Sequence, residues 1–245
     1  MTLKMSRAVT RRAVRTSFSV LWLWVAACAH SPSTGPEGSE AHTGPAHGEH
    51  HGAMPHRFEN AEEWAKRFEE PERERWQKPD EVVKALGLAE DAKVADIGSG
   101  TGYFAVRLAR AVPRGRVYGV DIEPDMARYL AERAKREGLS NLESVLAEPA
   151  DPKLPEAVDV ALVVDTYHHL GDRVAYMKKL GGKLRPGGRV AIIDFRVDSA
   201  KGPPREHRLS PEQVRKDLES AGYWMAQMQD FLPDQYFLVF QRVVP

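Results

Sequence analysis

A mostly parallel α/β sheet with helices on both faces is the fold the sequence predicts, and three observations predict it. Runs that are apolar almost throughout, at residues 93–97, 116–121, 158–164 and 189–195, have the continuous hydrophobicity of strands buried on both sides. Amphipathic stretches of helical period lie between several of them, so strand and helix alternate. A glycine-rich turn, Gly98-Ser-Gly-Thr-Gly102, joins the first strand to the helix that follows.

The 245 residues carry 35 Lys+Arg against 35 Asp+Glu, are 42% hydrophobic and contain one cysteine. Balanced charge argues against a polycationic nucleic-acid binder. One cysteine excludes an intramolecular disulfide framework and a Cys-rich zinc site. The balance is an average over unlike parts. Lys4, Arg7, Arg11, Arg12 and Arg15 precede an apolar run of about ten residues, 18–28, too short to span a bilayer stably. Residues 1–27 therefore read as a signal peptide. Val25-Ala-Ala-Cys28 resembles a bacterial lipoprotein box, in which Cys28 carries the lipid and becomes the mature N-terminus. Thr10-Arg-Arg12 also resembles a twin-arginine signal without its usual apolar pair. Together they predict a lipid-anchored protein of the cell envelope. A true start at Met54 would instead leave a cytoplasmic protein.

Residues 28–56 are rich in Ser, Pro, Gly and Glu and hold His30, His42, His47, His50, His51 and His56. Too little apolar surface is present to offset ordering, so the segment reads as a disordered tether. His47, His50 and His51 define no ligand geometry, and no metal site is predicted.

A helical cap is predicted over residues 57–88. Phe58, Ala61, Trp64, Ala65 and Phe68 recur at three and four residue spacing, and Pro71 is expected to close that helix. A second helix starts at Pro79 and reaches Gly87. Trp64, Phe68 and Trp76 read as core or interface aromatics, because no basic groove alternates with them.

The remainder, residues 89–245, is the predicted catalytic domain. Residues 93–97 form the first strand; the glycines of the loop from Gly98 to Gly102 allow positive backbone dihedrals and close approach of a ligand, and the helix start that follows presents unpaired amides able to hold a carboxylate or phosphate. The dinucleotide fingerprint needs a glycine at its sixth position, where Tyr103 stands, which argues against a nicotinamide oxidoreductase. No Gly-Lys-Ser/Thr follows, so a phosphate loop for ATP is excluded. Asp121 ends the second strand, placed to accept hydrogen bonds from two ribose hydroxyls, with Ile122 beside it as an apolar face for adenine. A helix over 124–137 and strands over 142–146, 158–164 and 189–195 complete the alternation, with Gly187 and Gly188 turning into the last of these.

Val94-Ala-Asp-Ile-Gly-Ser-Gly-Thr-Gly102, Gly119-Val-Asp-Ile122 and Leu184-Arg-Pro-Gly-Gly-Arg-Val190, in this order, resemble the class I S-adenosylmethionine-dependent methyltransferases. The resemblance covers about residues 76–245. It implies a Rossmann-like seven-stranded sheet of order 3-2-1-4-5-7-6, with a last strand near 236–242 running antiparallel. It also implies S-adenosyl-L-methionine as cofactor, with Asp96, Gly98, Ser99, Gly100 and Gly102 by its methionine portion. Asp121 then falls on the ribose, Ile122 on adenine and Glu148 near the adenine amino group. Pro149 removes the backbone amide commonly used at the adenine ring.

The chemistry is expected after the fourth strand, at Asp165-Thr-Tyr-His-His-Leu170, which the strand end aims at the ligand crevice. His168 or His169 can take a proton from the acceptor, Asp165 can orient the histidine or meet the cofactor's amino group, and Tyr167 can shape the acceptor pocket. Adjacent residues cannot all face one cavity, and which histidine does is left open. Asp194 and His207 are further pocket candidates, and the segment 199–208 reads as either a substrate lid or a surface loop. A small-molecule acceptor is expected, with no nucleic acid and no obligate protein partner. An exported nucleoside-, cofactor- or metal-binding lipoprotein that keeps the fold without catalysis is the alternative.

Overall fold

The computed structural model describes residues 60–243. The expectations for the signal peptide, Cys28, Met54 and the histidine-rich tether lie outside the described residues.

Three short helices come first, α1 (Ala61–Phe68), α2 (Pro71–Gln77) and α3 (Pro79–Ala85). Pro71 was expected to end a helix; it opens one. Its missing N–H costs nothing at a first-turn position, and Glu70 before it is held extended, as a residue preceding proline prefers. Lys78, with φ 46°, turns the chain from α2 into α3.

The domain continues as β1 (Lys93–Ile97), α4 (Tyr103–Ala111), β2 (Arg116–Asp121), α5 (Pro124–Arg136), β3 (Leu142–Leu146) and β4 (Val158–Val164). Then follow α6 (Arg173–Gly181), β5 (Leu184–Phe195), α7 (Pro211–Ser220), β6 (Tyr223–Gln229) and β7 (Gln235–Arg242). The seven strands lie in the order β3-β2-β1-β4-β5-β7-β6, as the resemblance implied. The first five are parallel, and β7 runs antiparallel to both its neighbours. β5 begins at Leu184, ahead of the expected residue 189. Val158 pairs with Leu184 and Val160 with Arg189, so the glycine pair sits in an irregularity inside the strand.

One face of the sheet is covered by α3, α4 and α5, through Val82, Leu86, Leu108 and Leu130. The other is covered by α6 and α7, through Met177, Leu180, Val214 and Leu218. On α5, Met126, Leu130 and Ala134 recur every four residues and are buried, the stripe an amphipathic helix needs. Leu130 is fully buried, and a side chain of that size contributes about 1.5–3 kcal/mol on burial. It also presses on the glycine loop: a Cβ on Gly102 would stand 2.4 Å from it. Packing under the loop thus places the loop at the carboxyl edge of the sheet.

Candidate functional site

The glycine loop is shaped from within the protein. Gly98 and Ser99 donate their amides to the Val120 carbonyl at 2.8 and 3.0 Å, and the Gly100 amide donates to Asp121 Oδ2 at 2.8 Å. Gly102 donates to the Ser99 carbonyl at 2.9 Å. These loop amides are therefore occupied, by the Val120 and Ser99 carbonyls and the Asp121 carboxylate. Gly98 has φ +73°, and a Cβ there would lie 2.2 Å from Thr166 Oγ1. Only glycine lets the loop after β1 meet the segment after β4.

Asp121 Oδ1 also accepts from the Glu123 amide at 3.0 Å. Each carboxylate oxygen retains a second lone pair for a hydroxyl. Ile122 beside it is 51% exposed, a free apolar surface at the end of β2. Asp96 is buried, and among the described residues its Oδ2 has no hydrogen-bond partner, nor do the buried Oγ of Ser99 and Oγ1 of Thr101. Burial pushes the Asp96 carboxyl up to about 7, against the opposing pull of the Ala105 amide and the Arg73 charge. Ser99 Oγ lies 3.2 Å from where a Cβ on Gly119 would stand, so this side chain faces β2. The Ala147 amide bonds to the Asp121 carbonyl, which brings Glu148 to the same edge. Its side chain is mostly exposed and paired with Lys153 at 3.0 Å.

Beyond β4 the chain enters a 3₁₀ turn, Tyr167–His169. Asp165 adopts φ 51°, unusual for a residue with a side chain, and accepts from Gln77 Nε2 at 2.9 Å and from Gln235 Nε2. Burial first, and then the Asp194 charge, raise its pKa to about 6. His168 Nδ1 lies 2.8 and 3.0 Å from the two Asp194 oxygens. The His168 and Asp194 side chains are only 4% and 3% exposed. The Phe195 amide donates to Asp194 Oδ1 at 2.8 Å and fixes the carboxylate's orientation. Burial by itself lowers the His168 pKa; the hydrogen bond and charge of Asp194, with the charge of Asp165, outweigh it, and the net shift is upward.

The His169 ring packs on His168, centroids 4.2 Å apart. The 3₁₀ turn carries Tyr167 the other way, into the cluster under α6 and α7, where it is fully buried and its hydroxyl lies 3.3 Å from Asp217. It is not brought to the pocket wall that the sequence suggested. The segment 199–208 is folded around Arg208, whose guanidinium bonds the carbonyls of Arg196, Val197, Ser199 and Pro203. Arg208, at the end of the segment, thus ties it back on itself, and His207 lies within it, in a single 3₁₀ turn.

Five residues the sequence did not single out for chemistry stand beside these groups. On α2, Arg73 stacks its guanidinium 4.0 Å from the Tyr103 ring centroid, and Trp76 packs on Phe195 at 5.5 Å. Gln77, fully buried, bonds both Asp165 and Gln235, the latter at 3.1 Å. Gln235 itself opens β7. Phe68 of α1 lies over the loop, 3.4 Å from where a Cβ on Gly100 would stand.

A seven-stranded sheet with its seventh strand reversed, a glycine loop after β1 and an acid at the end of β2 define the class I, Rossmann-like methyltransferase fold. The chain belongs to the methyltransferase-domain family, whose model matches residues 88–235. It is 31% identical over 174 residues to trans-aconitate 2-methyltransferase of Rhodopseudomonas palustris, covering 66% of this chain and 64% of that protein. It is 30% identical to a ubiquinone/menaquinone biosynthesis C-methyltransferase of Syntrophotalea carbinolica, covering 46% and 48% respectively. The chain thus spans about half to just under two thirds of these relatives. A SAM-dependent methyltransferase from Aquifex aeolicus, of solved structure, is 28% identical with a TM-score of 0.69, covering 74% of this chain and 98% of that one.

Proposed function

We propose that this protein is an S-adenosylmethionine-dependent methyltransferase acting on a small molecule that carries an ionisable O–H, N–H or S–H group. Family membership and the Aquifex aeolicus likeness support the cofactor. The relatives named for trans-aconitate and for quinone biosynthesis support a small acceptor. The observation that carries the cofactor reading is the buried, unpartnered Asp96 Oδ2 beside the glycine loop, because a dry carboxylate oxygen without a donor calls for one. In this reading Asp96 meets the amino-acid end, which lies against the backbone of Gly98, Gly100 and Gly102, with Asp121 on the ribose and Ile122 on the adenine. Glu148 is assigned to the adenine amino group.

Bound there, S-adenosylmethionine supplies an electrophilic methyl group. The chain's own task is to align the acceptor, exclude water and take its proton. His168 donates its Nδ1 proton to Asp194, which leaves a lone pair on Nε2 to receive the acceptor's proton. We assign His168 as the base, Asp194 as the residue that orients it, and Asp165 to the amino end of the cofactor. His169 packs against the base.

Calorimetry on the full chain tests this reading: saturable S-adenosylmethionine binding is expected, lost in Asp121→Ala while circular dichroism stays native. Absence of binding by the wild type overturns it. Binding without transfer to any envelope-fraction compound supports instead the binding lipoprotein. We further place the protein at the cell envelope, anchored through Cys28, on the strength of the lipoprotein-like segment 18–28.

A further inference from the structure

Arg73 is a buried cation whose hydrogen bonding is incomplete. Its side chain is 15% exposed. Nε is bonded to Gln77 Oε1, and Nη1 donates to the Phe68 carbonyl at 2.8 Å. Among the described residues, Nη2 meets only Asp165 Oδ2, at 3.9 Å, beyond hydrogen-bond reach. The guanidinium lies over Tyr103, the first residue of α4 after the glycine loop, and within the electrostatic reach of both Asp96 and Asp165. A guanidinium with one free edge thus stands near a partly buried carboxylate, Asp165, and a buried one, Asp96, whose Oδ2 has no donor among the described residues. That arrangement complements a zwitterion, an ammonium for the carboxylates and a carboxylate for the guanidinium.

Direction along the crevice is set by β2. Ile122 and Asp121 suit a nucleoside, so an S-adenosyl ligand extended from them over the loop carries its amino-acid end toward Asp96 and Asp165. We propose, resting on the cofactor reading above, that Arg73 binds the carboxylate of the cofactor's methionine portion through its Nη2 edge. The consequence reaches the acceptor side. The same seven-residue helix packs Trp76 on Phe195 and ties Gln77 to Asp165 and Gln235, so the amino-acid end of the cofactor holds α2 over the ends of β4 and β5.

The test compares S-adenosylhomocysteine with 5′-methylthioadenosine, which keeps the nucleoside and sulfur but lacks the amino acid, by calorimetry on the wild type and Arg73→Gln. A buried charge-assisted hydrogen bond predicts a loss of about 10- to 100-fold in affinity for S-adenosylhomocysteine. Affinity for 5′-methylthioadenosine should stay within roughly 3-fold. In the wild type, hydrogen exchange over residues 71–77 should slow with S-adenosylhomocysteine and not with 5′-methylthioadenosine. Equal losses for both ligands would make Arg73 a scaffold residue and overturn the proposal, as would no loss for either. Equal protection by both ligands removes the coupling to α2. A wild type that binds neither ligand overturns the cofactor reading itself.

Discussion

At the scale of single residues, His168 and Asp194 form the pair on which the proposed chemistry depends, and their electrostatics make a signed prediction. The net effect of Asp194 and Asp165 is to hold the imidazolium more firmly than water does. Folding therefore gains from this pair below the histidine's ordinary pKa of about 6.5, and the gain is lost as pH rises through the higher folded value. A base, by contrast, needs the neutral ring, so proton-accepting capacity appears only on the alkaline side of that same value. An NMR titration of the His168 ring, assigned with His168→Gln, should give a midpoint above the ordinary one. Asp194→Asn should move it down by removing the bonded charge, while burial and the more distant Asp165 remain. A wild-type midpoint at or below the ordinary value, or one that Asp194→Asn leaves in place, would sink the dyad. Neither ring was distinguishable in the sequence, where two adjacent histidines follow one strand. The choice is made by Asp194, 26 positions away, which reaches His168 Nδ1 because β4 and β5 are paired.

At the scale of elements, the loop after β1 and the segment after β4 are interlocked, and the lock is glycine-specific. Gly98→Ala places a methyl group on the Thr166 side chain in a backbone conformation that itself costs about 1–2 kcal/mol for an L-residue. The variant should lose more than about 2 kcal/mol of stability in urea titrations. Adding Thr166→Gly should return part of it, because the clash goes while the dihedral strain stays. A double-mutant cycle with no favourable coupling between the two sites would disprove the interlock. This loop was legible in the sequence because strand, glycines and helix are contiguous, and the same holds for β1 to β5 and for the acid that ends β2. The cap was only half legible. Pro71 reads equally as a helix end or a first-turn residue, and α2 between Pro71 and Gln77 is so charged that it carries no apolar period. Its partners, Asp165 and Gln235, lie 88 and 158 positions along the chain, a separation no local pattern encodes. The polar floor of the crevice therefore became visible only in three dimensions, as did the burial of Tyr167, which sits next to His168 in sequence and on the opposite side of the turn in space.

At the scale of the whole molecule, the proposed membrane attachment rests on the front of the chain. No helix among the described residues is long and apolar enough to cross a membrane. Beyond residue 56 the chain carries 30 basic and 32 acidic side chains, so no net positive charge draws it to anionic lipid. At the front, five positive charges precede an apolar run about half the length needed to span the hydrocarbon. A short run of that kind is suited to removal, and a lipid on Cys28 would replace it with acyl chains. Two chains anchor stably where one gives only marginal, reversible binding. The mature protein purified from its own cells should therefore begin at Cys28 with a diacylglyceryl mass increment, and should partition into the detergent phase on cloud-point separation. Cys28→Ala should move it to the aqueous phase while leaving S-adenosylhomocysteine affinity within about 2-fold, since the substitution lies outside the domain that binds. A mature N-terminus at Met54, or an unmodified Cys28, would overturn the anchor and place the same crevice in the cytoplasm.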